Sequence, residues 1–134
     1  MKRKNSSFLI LVLMSFNISS EIRQLNFLYT NDLHAHLQPH IEQWISETRP
    51  VGGFANLATL IKEEKSANPN TLYIDAGDYF SGPYISTLTE GEAVIDTMNL
   101  LGVDAACIGN HEFDHGWESM LDKLEMATFP IVNG

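Results

Sequence analysis

The chain has 134 residues, of which 44% are hydrophobic and 19% charged, with a net charge of −9 and a single cysteine. That is enough for one globular domain or part of one but too little for two well-developed domains, and one thiol excludes an intrachain disulfide. The acidic balance argues against a nucleic-acid polymer or an anionic membrane as partner, so a phosphate-bearing ligand would have to be held through cations.

Lys2, Arg3 and Lys4 precede the apolar run Phe8 to Phe16, which is too short for a stable membrane span. With the polar stretch Asn17 to Ser20 they read as a secretory signal over residues 1–20, although Ile18 fits a cleavage site poorly. The alternative is a buried N-terminal helix. The signal predicts a periplasmic or extracellular product whose domain begins at residue 21, and its removal leaves five basic residues against 17 acidic ones.

Gln24 to Tyr29 turns from alternating to apolar, as a buried strand would, and Thr30-Asn31 ends it. Asp32 and His34 follow at i and i+2; in an extended segment they share a face, so a carboxylate and an imidazole could reach one ion. His36 and His40 lie in a loop that runs to Arg49-Pro50 and closes at Val51-Gly52-Gly53. They are read as solvated loop residues rather than ligands.

Phe54, Leu57, Ala58 and Ile61 recur at helical spacing and predict a helix to about Ala67, stopped by Asn68-Pro69-Asn70. A second strand, Thr71 to Ile74, leads into Asp75-Ala76-Gly77-Asp78, where a glycine marks close backbone approach. Tyr79 to Pro83 reads as loop. Gly91-Glu92 opens a second helix with Val94, Met98 and Leu101 on one face and Gly102 placed to end it.

Val103 to Ile108 is the third apolar strand, within which Cys107 reads as a small buried residue. It runs into Gly109-Asn110-His111-Glu112-Phe113-Asp114-His115-Gly116, which packs a carboxamide, two imidazoles and two carboxylates into eight residues. A third helix from about Trp117 carries Trp117, Met120, Leu121 and Leu124 as a core stripe, and Phe129 to Val132 begins a fourth strand.

The order β-α-β-α-β-α-β predicts an α/β fold with a mostly parallel sheet and right-handed crossovers. Three strands each end in a cluster of metal-type ligands, and in such sheets ligands gather outside the carboxyl ends of the strands. This recurrence is the main internal sign of a site.

Thr30-Asn31-Asp32-Leu33-His34, Gly52-Gly53-Phe54-Ala55, Asp75-Ala76-Gly77-Asp78-Tyr79-Phe80-Ser81-Gly82 and Gly109-Asn110-His111-Glu112-Phe113-Asp114 together resemble the successive motifs of the secreted 5′-nucleotidase and UDP-sugar hydrolase family, within the calcineurin-like metallophosphoesterases. The resemblance runs from about Gln24 to Gly134. It implies the N-terminal half of a layered α/β/β/α domain that hydrolyses nucleoside 5′-phosphates or related nucleotides.

By that resemblance two divalent ions (Mn, Zn, Mg or similar) are bound, one by Asp32 and His34, with Asp78 bridging to a second on Asn110. His111 would be the catalytic histidine, oriented by Asp114. Two such ions would lower the pKa of a shared water, whose hydroxide attacks phosphorus in line, while His111 stabilises phosphoryl oxygens or protonates the leaving oxygen. Glu112 is expected to cap or be solvated.

Family members supply further histidine ligands from beyond the fourth strand, and a C-terminal domain that grips the nucleoside. Neither lies within these 134 residues. Family members also often carry a basic residue where this chain has Asn56. The expectation is therefore a truncated phosphatase domain, inactive in isolation. The alternatives are a fragment that at most binds a metal ion, and a hydrolase of a sulfur compound on a similar fold.

Overall fold

Four short strands, β1 (Asn26–Thr30), β2 (Thr71–Asp75), β3 (Ala105–Cys107) and β4 (Ile131–Val132), pair in parallel in their sequence order. The computed structural model describes residues 22–133. The signal-sequence reading of residues 1–20 therefore lies outside the described residues. None of the described helices is long and apolar enough to cross a membrane.

Between the strands lie α1 (Phe54–Ala67), α2 (Tyr84–Thr89), α3 (Glu92–Leu101) and α4 (Trp117–Leu124), with a 3₁₀ turn at His111–Phe113. The predicted alternation holds, with α2 as an addition. At six residues α2 is too short to show a helical period in the sequence, and its one buried residue is the polar Ser86. Gly102 ends α3 at φ 70°, the left-handed conformation expected of it.

The ladder register sorts the sheet into two faces. Tyr73, Asp75, Ala106 and Ile131 share one face, where Tyr73 and Ala106 pack in the core with Phe54 and Ile61 of α1 and Val94, Ile95 and Met98 of α3. Burying each of these larger side chains contributes about 1.5 to 3 kcal/mol. Phe27, Tyr29, Leu72, Cys107 and Val132 share the other face, and Phe27, Tyr29 and Val132 are more than half exposed.

Two expectations are corrected here. β1 begins at Asn26 rather than Gln24 and is half-buried on one side and exposed on the other, and Cys107 is half-buried rather than a core residue. Strands that advance one step at a time through crossovers of one hand carry all their helices on one face, so the other carries none of the described helices. The stripe on α4 is corrected as well: Met120 is buried and Leu124 packs against the core, while Trp117 and Leu121 are exposed. The four share one face of a short helix, and only the edge of it that carries 120 and 124 meets the core.

Candidate metal centre

Beyond their last paired residues, β1 and β2 continue side by side as loops. Ala76 N–H donates to Thr30 O at 2.8 Å, Asp32 N–H to Gly77 O at 3.0 Å, His34 N–H to Asp78 O at 3.0 Å and Ala35 N–H to Tyr79 O at 2.9 Å. The segment at 32–35 is not extended, as its sequence suggested: Asp32, His34 and Ala35 have φ of 54°, 44° and 51°. Side chains seldom accept that conformation, and here it is held by the cross-loop bonds. Asp32 and His34 still converge, with Asp32 Oδ1 3.6 Å from His34 Nε2.

The third loop closes against the second. A Cβ on Gly77 would lie 2.7 Å from Gly109 N, and a Cβ on Gly109 would meet Asp78 Oδ1, so both contacts require glycine. His111 N–H donates to Asp78 Oδ1 at 3.0 Å. One ligand atom from each of His34, Asp78 and His111 lies within 4.8 Å of the others, and the rings of His34 and His111 meet edge to face at 4.7 Å.

Both rings are pinned by one nitrogen. His34 Nδ1 bonds Ser81 O at 3.0 Å, which as a carbonyl can only accept, so Nδ1 carries the proton and Nε2 the lone pair. His111 Nδ1 bonds Asp114 Oδ2 at 2.7 Å, and Ser81 Oγ donates to the same oxygen at 2.6 Å. The Asp114 bond raises the pKa of His111, helped by the charges of Asp114 and Asp78 and opposed by desolvation. The Asp114 carboxyl is lowered by His111 and then Ser81.

Of the six residues singled out in the sequence, His34, Asp78 and His111 come together, with Asp114 bonded to the last. Asp32 is exposed beside His34, its carboxylate also bonded by the Asn31 amide. Asn110 is exposed at the start of the 3₁₀ turn. His36 and His40 are not among the converging groups; they are half-buried rather than solvated, with ring centroids 4.3 Å apart and His40 Nε2 2.8 Å from Glu42.

Sequence reasoning undervalued Glu112. It does cap, taking the Gly109 N–H three residues back, but it is fully buried rather than solvated and also bonds the loop after β2. The only sequence signal was that i−3 relation, a pattern common where a glutamate reaches back at a helix start.

A family model for the calcineurin-like phosphoesterase matches residues 25–133. The chain belongs to that family. It is similar to the 5′-nucleotidase of Bos taurus, at 40% identity over 82% of this chain and 20% of the relative. Among solved structures it is similar to the 5′-nucleotidase precursor of Thermus thermophilus, with TM-score 0.75 and 38% identity over 81% of this chain and 21% of that one. The NAD nucleotidase of Haemophilus influenzae gives TM-score 0.72 and 32% identity over 81% and 20%. The chain thus spans about one fifth of the length of these relatives.

The donor chemistry of this calcineurin-like phosphoesterase chain fits a divalent cation of intermediate hardness. Imidazole and carboxylate suit Zn²⁺ or Mn²⁺, and thiolate is absent from the cluster. A ligating histidine typically has its second nitrogen bonded to a carbonyl or carboxylate, the state of both rings here.

Proposed function

We propose that this chain is the metal-binding portion of a phosphoester hydrolase acting on nucleoside 5′-phosphates. The observation that carries this reading is the convergence of His34, Asp78 and His111 at the carboxyl ends of parallel strands. The nucleotide substrate is carried over from the relatives named above.

Asp32, His34, Asp78 and Asn110 would hold divalent cations, two in the complete site. Bound there, the cations supply Lewis acidity and an activated water for attack on phosphorus. His34 presents Nε2 because Ser81 O holds its Nδ1 proton. Asp78 accepts the His111 N–H at Oδ1, which orients its carboxylate.

His111 acts as the proton-bearing group. With Nδ1 bonded to Asp114, a proton on Nε2 is available to a phosphoryl or leaving-group oxygen. Asp114 and Ser81 fix the plane of the ring. The 134-residue chain on its own is expected to bind metal without completing the reaction, because these residues leave a dinuclear shell short of ligands.

The test is Mn²⁺ binding together with phosphate release from AMP, for the chain and its Asp78→Ala and His111→Ala variants. The expected result is Mn²⁺ binding that Asp78→Ala weakens by at least about tenfold, with no phosphate release. Equal binding by the chain and Asp78→Ala would overturn the site. Phosphate release lost in both variants would support the hydrolase reading and refute the inactivity of the isolated chain.

A further inference from the structure

Glu112 is fully buried, and its charge is met by backbone. Its Oε1 accepts the N–H groups of Tyr79 at 2.9 Å and Phe80 at 3.0 Å, and its Oε2 those of Asp78 at 3.0 Å and Gly109 at 2.6 Å. Three of these donors are consecutive residues of the loop after β2; the fourth belongs to the loop after β3. One carboxylate therefore ties two loops that β2 and β3 merely deliver side by side.

We propose that Glu112 is a positioning residue that locks the Asp78 loop to the His111 loop and so sets the spacing of His34 and Asp78, the donors to a divalent cation, and of the proton-bearing His111 beside them. This deepens the reading of that cluster as a metal centre and rests on it. Asp78 adopts φ 60°, a conformation that persists in a non-glycine residue only where its surroundings over-determine it. The bond from its N–H to Glu112 and the bond from its Oδ1 to the His111 N–H provide that constraint from opposite ends of the residue.

An isosteric amide cannot replace the carboxylate. Glutamine offers one acceptor oxygen, so its NH₂ would face N–H donors at whichever side it occupied. The consequence is a wider gap between the loops, not an altered ligand, since Glu112 is not itself among the converging groups.

The full chain is compared with Glu112→Gln and with Ile61→Ala by Mn²⁺ titration, thermal melting and metal-free NMR of the His111 amide and imidazole. Ile61 is a core residue of α1, and its truncation serves as the stability control. The expected result, at a temperature where all three are folded, is Mn²⁺ affinity about tenfold or more weaker in Glu112→Gln and unchanged in Ile61→Ala. His111 resonances shift in the first variant and not in the second.

Equal Mn²⁺ affinity in Glu112→Gln and the unaltered chain, or unshifted His111 resonances, would overturn the proposal. If the unaltered chain binds no Mn²⁺, the metal reading fails on its own; the His111 resonances then decide whether Glu112 locks the loops. Should Glu112→Gln not fold, Glu112→Asp, with the charge kept and the reach shortened by one methylene, is judged by the same criteria.

Discussion

Asp75 closes β2 and is almost fully buried, with its oxygens bonded by Thr30 Oγ at 2.5 Å and by Gly77 N–H at 2.9 Å. Tyr73 OH lies 2.7 Å from the same Thr30 oxygen and donates to it, since Thr30 gives its own proton to Asp75. Burial pushes the Asp75 carboxyl from 3.8 to about 6; the Thr30 and Gly77 bonds oppose the rise and the charges of Glu112 and Asp32 add to it. With the folded value above the unfolded one, the stability from this group is complete below pH 3.8 and is lost as pH rises through about 6. Asp75→Asn keeps an acceptor for Gly77 and never ionises. Its stability relative to the unaltered chain should therefore rise by up to about 3 kcal/mol between pH 3.5 and pH 7.5, measured as urea unfolding at each pH. A difference independent of pH would refute the assignment.

At the scale of the element, the site is made by three loops whose backbones touch. Gly109 and Gly102 separate the two reasons for a glycine. Gly109 has ordinary backbone angles but no room, because a Cβ there would meet Asp78 N at 2.7 Å as well as its carboxylate; Gly102 has open space but φ 70°. Gly109→Ala should cost about 1 to 3 kcal/mol through overpacking and disturb Mn²⁺ binding. Gly102→Ala should cost about 1 to 2 kcal/mol through backbone conformation and leave Mn²⁺ binding intact. Thermal melts paired with Mn²⁺ titrations check both. The glycines were visible in the sequence as loop punctuation, but which of them faced another loop depended on the register of β2 against β3.

At the scale of the whole molecule, the described residues leave the sheet one covered face and one exposed face. The exposed face carries Phe27, Tyr29, Leu72 and Val132, and among the described residues nothing packs over its first two side chains, which are 57% and 74% exposed. Such a patch binds apolar dyes. Anilinonaphthalene sulfonate fluorescence with the folded chain should fall in a Phe27→Ser, Tyr29→Ser double variant, at a stability cost below about 1 kcal/mol. Ile61→Ala on the covered side should cost about 2 to 5 kcal/mol. Elsewhere Lys65 ties the layers together, with Nζ 2.9 Å from Gly102 O and 2.6 Å from Asp104, whose carboxylate also takes the Tyr73 N–H.

By itself the sequence determined the alternation of strand, loop and helix, the parallel sheet and the three ligand-bearing loops, because apolar periodicity and glycine punctuation are local properties. It also placed His111 three residues before Asp114, within reach of one turn. Only the tertiary structure decided that 32–35 would turn left-handed, that Trp117 would face out while Met120 faced in, and that Phe27 and Tyr29 would be exposed among the described residues. It alone took Glu112 from a side chain expected to cap locally or be solvated to the junction of two loops. A buried carboxylate needs hydrogen-bond donors, and three of those that meet Glu112 come from residues more than thirty positions away, where no local pattern could reveal them.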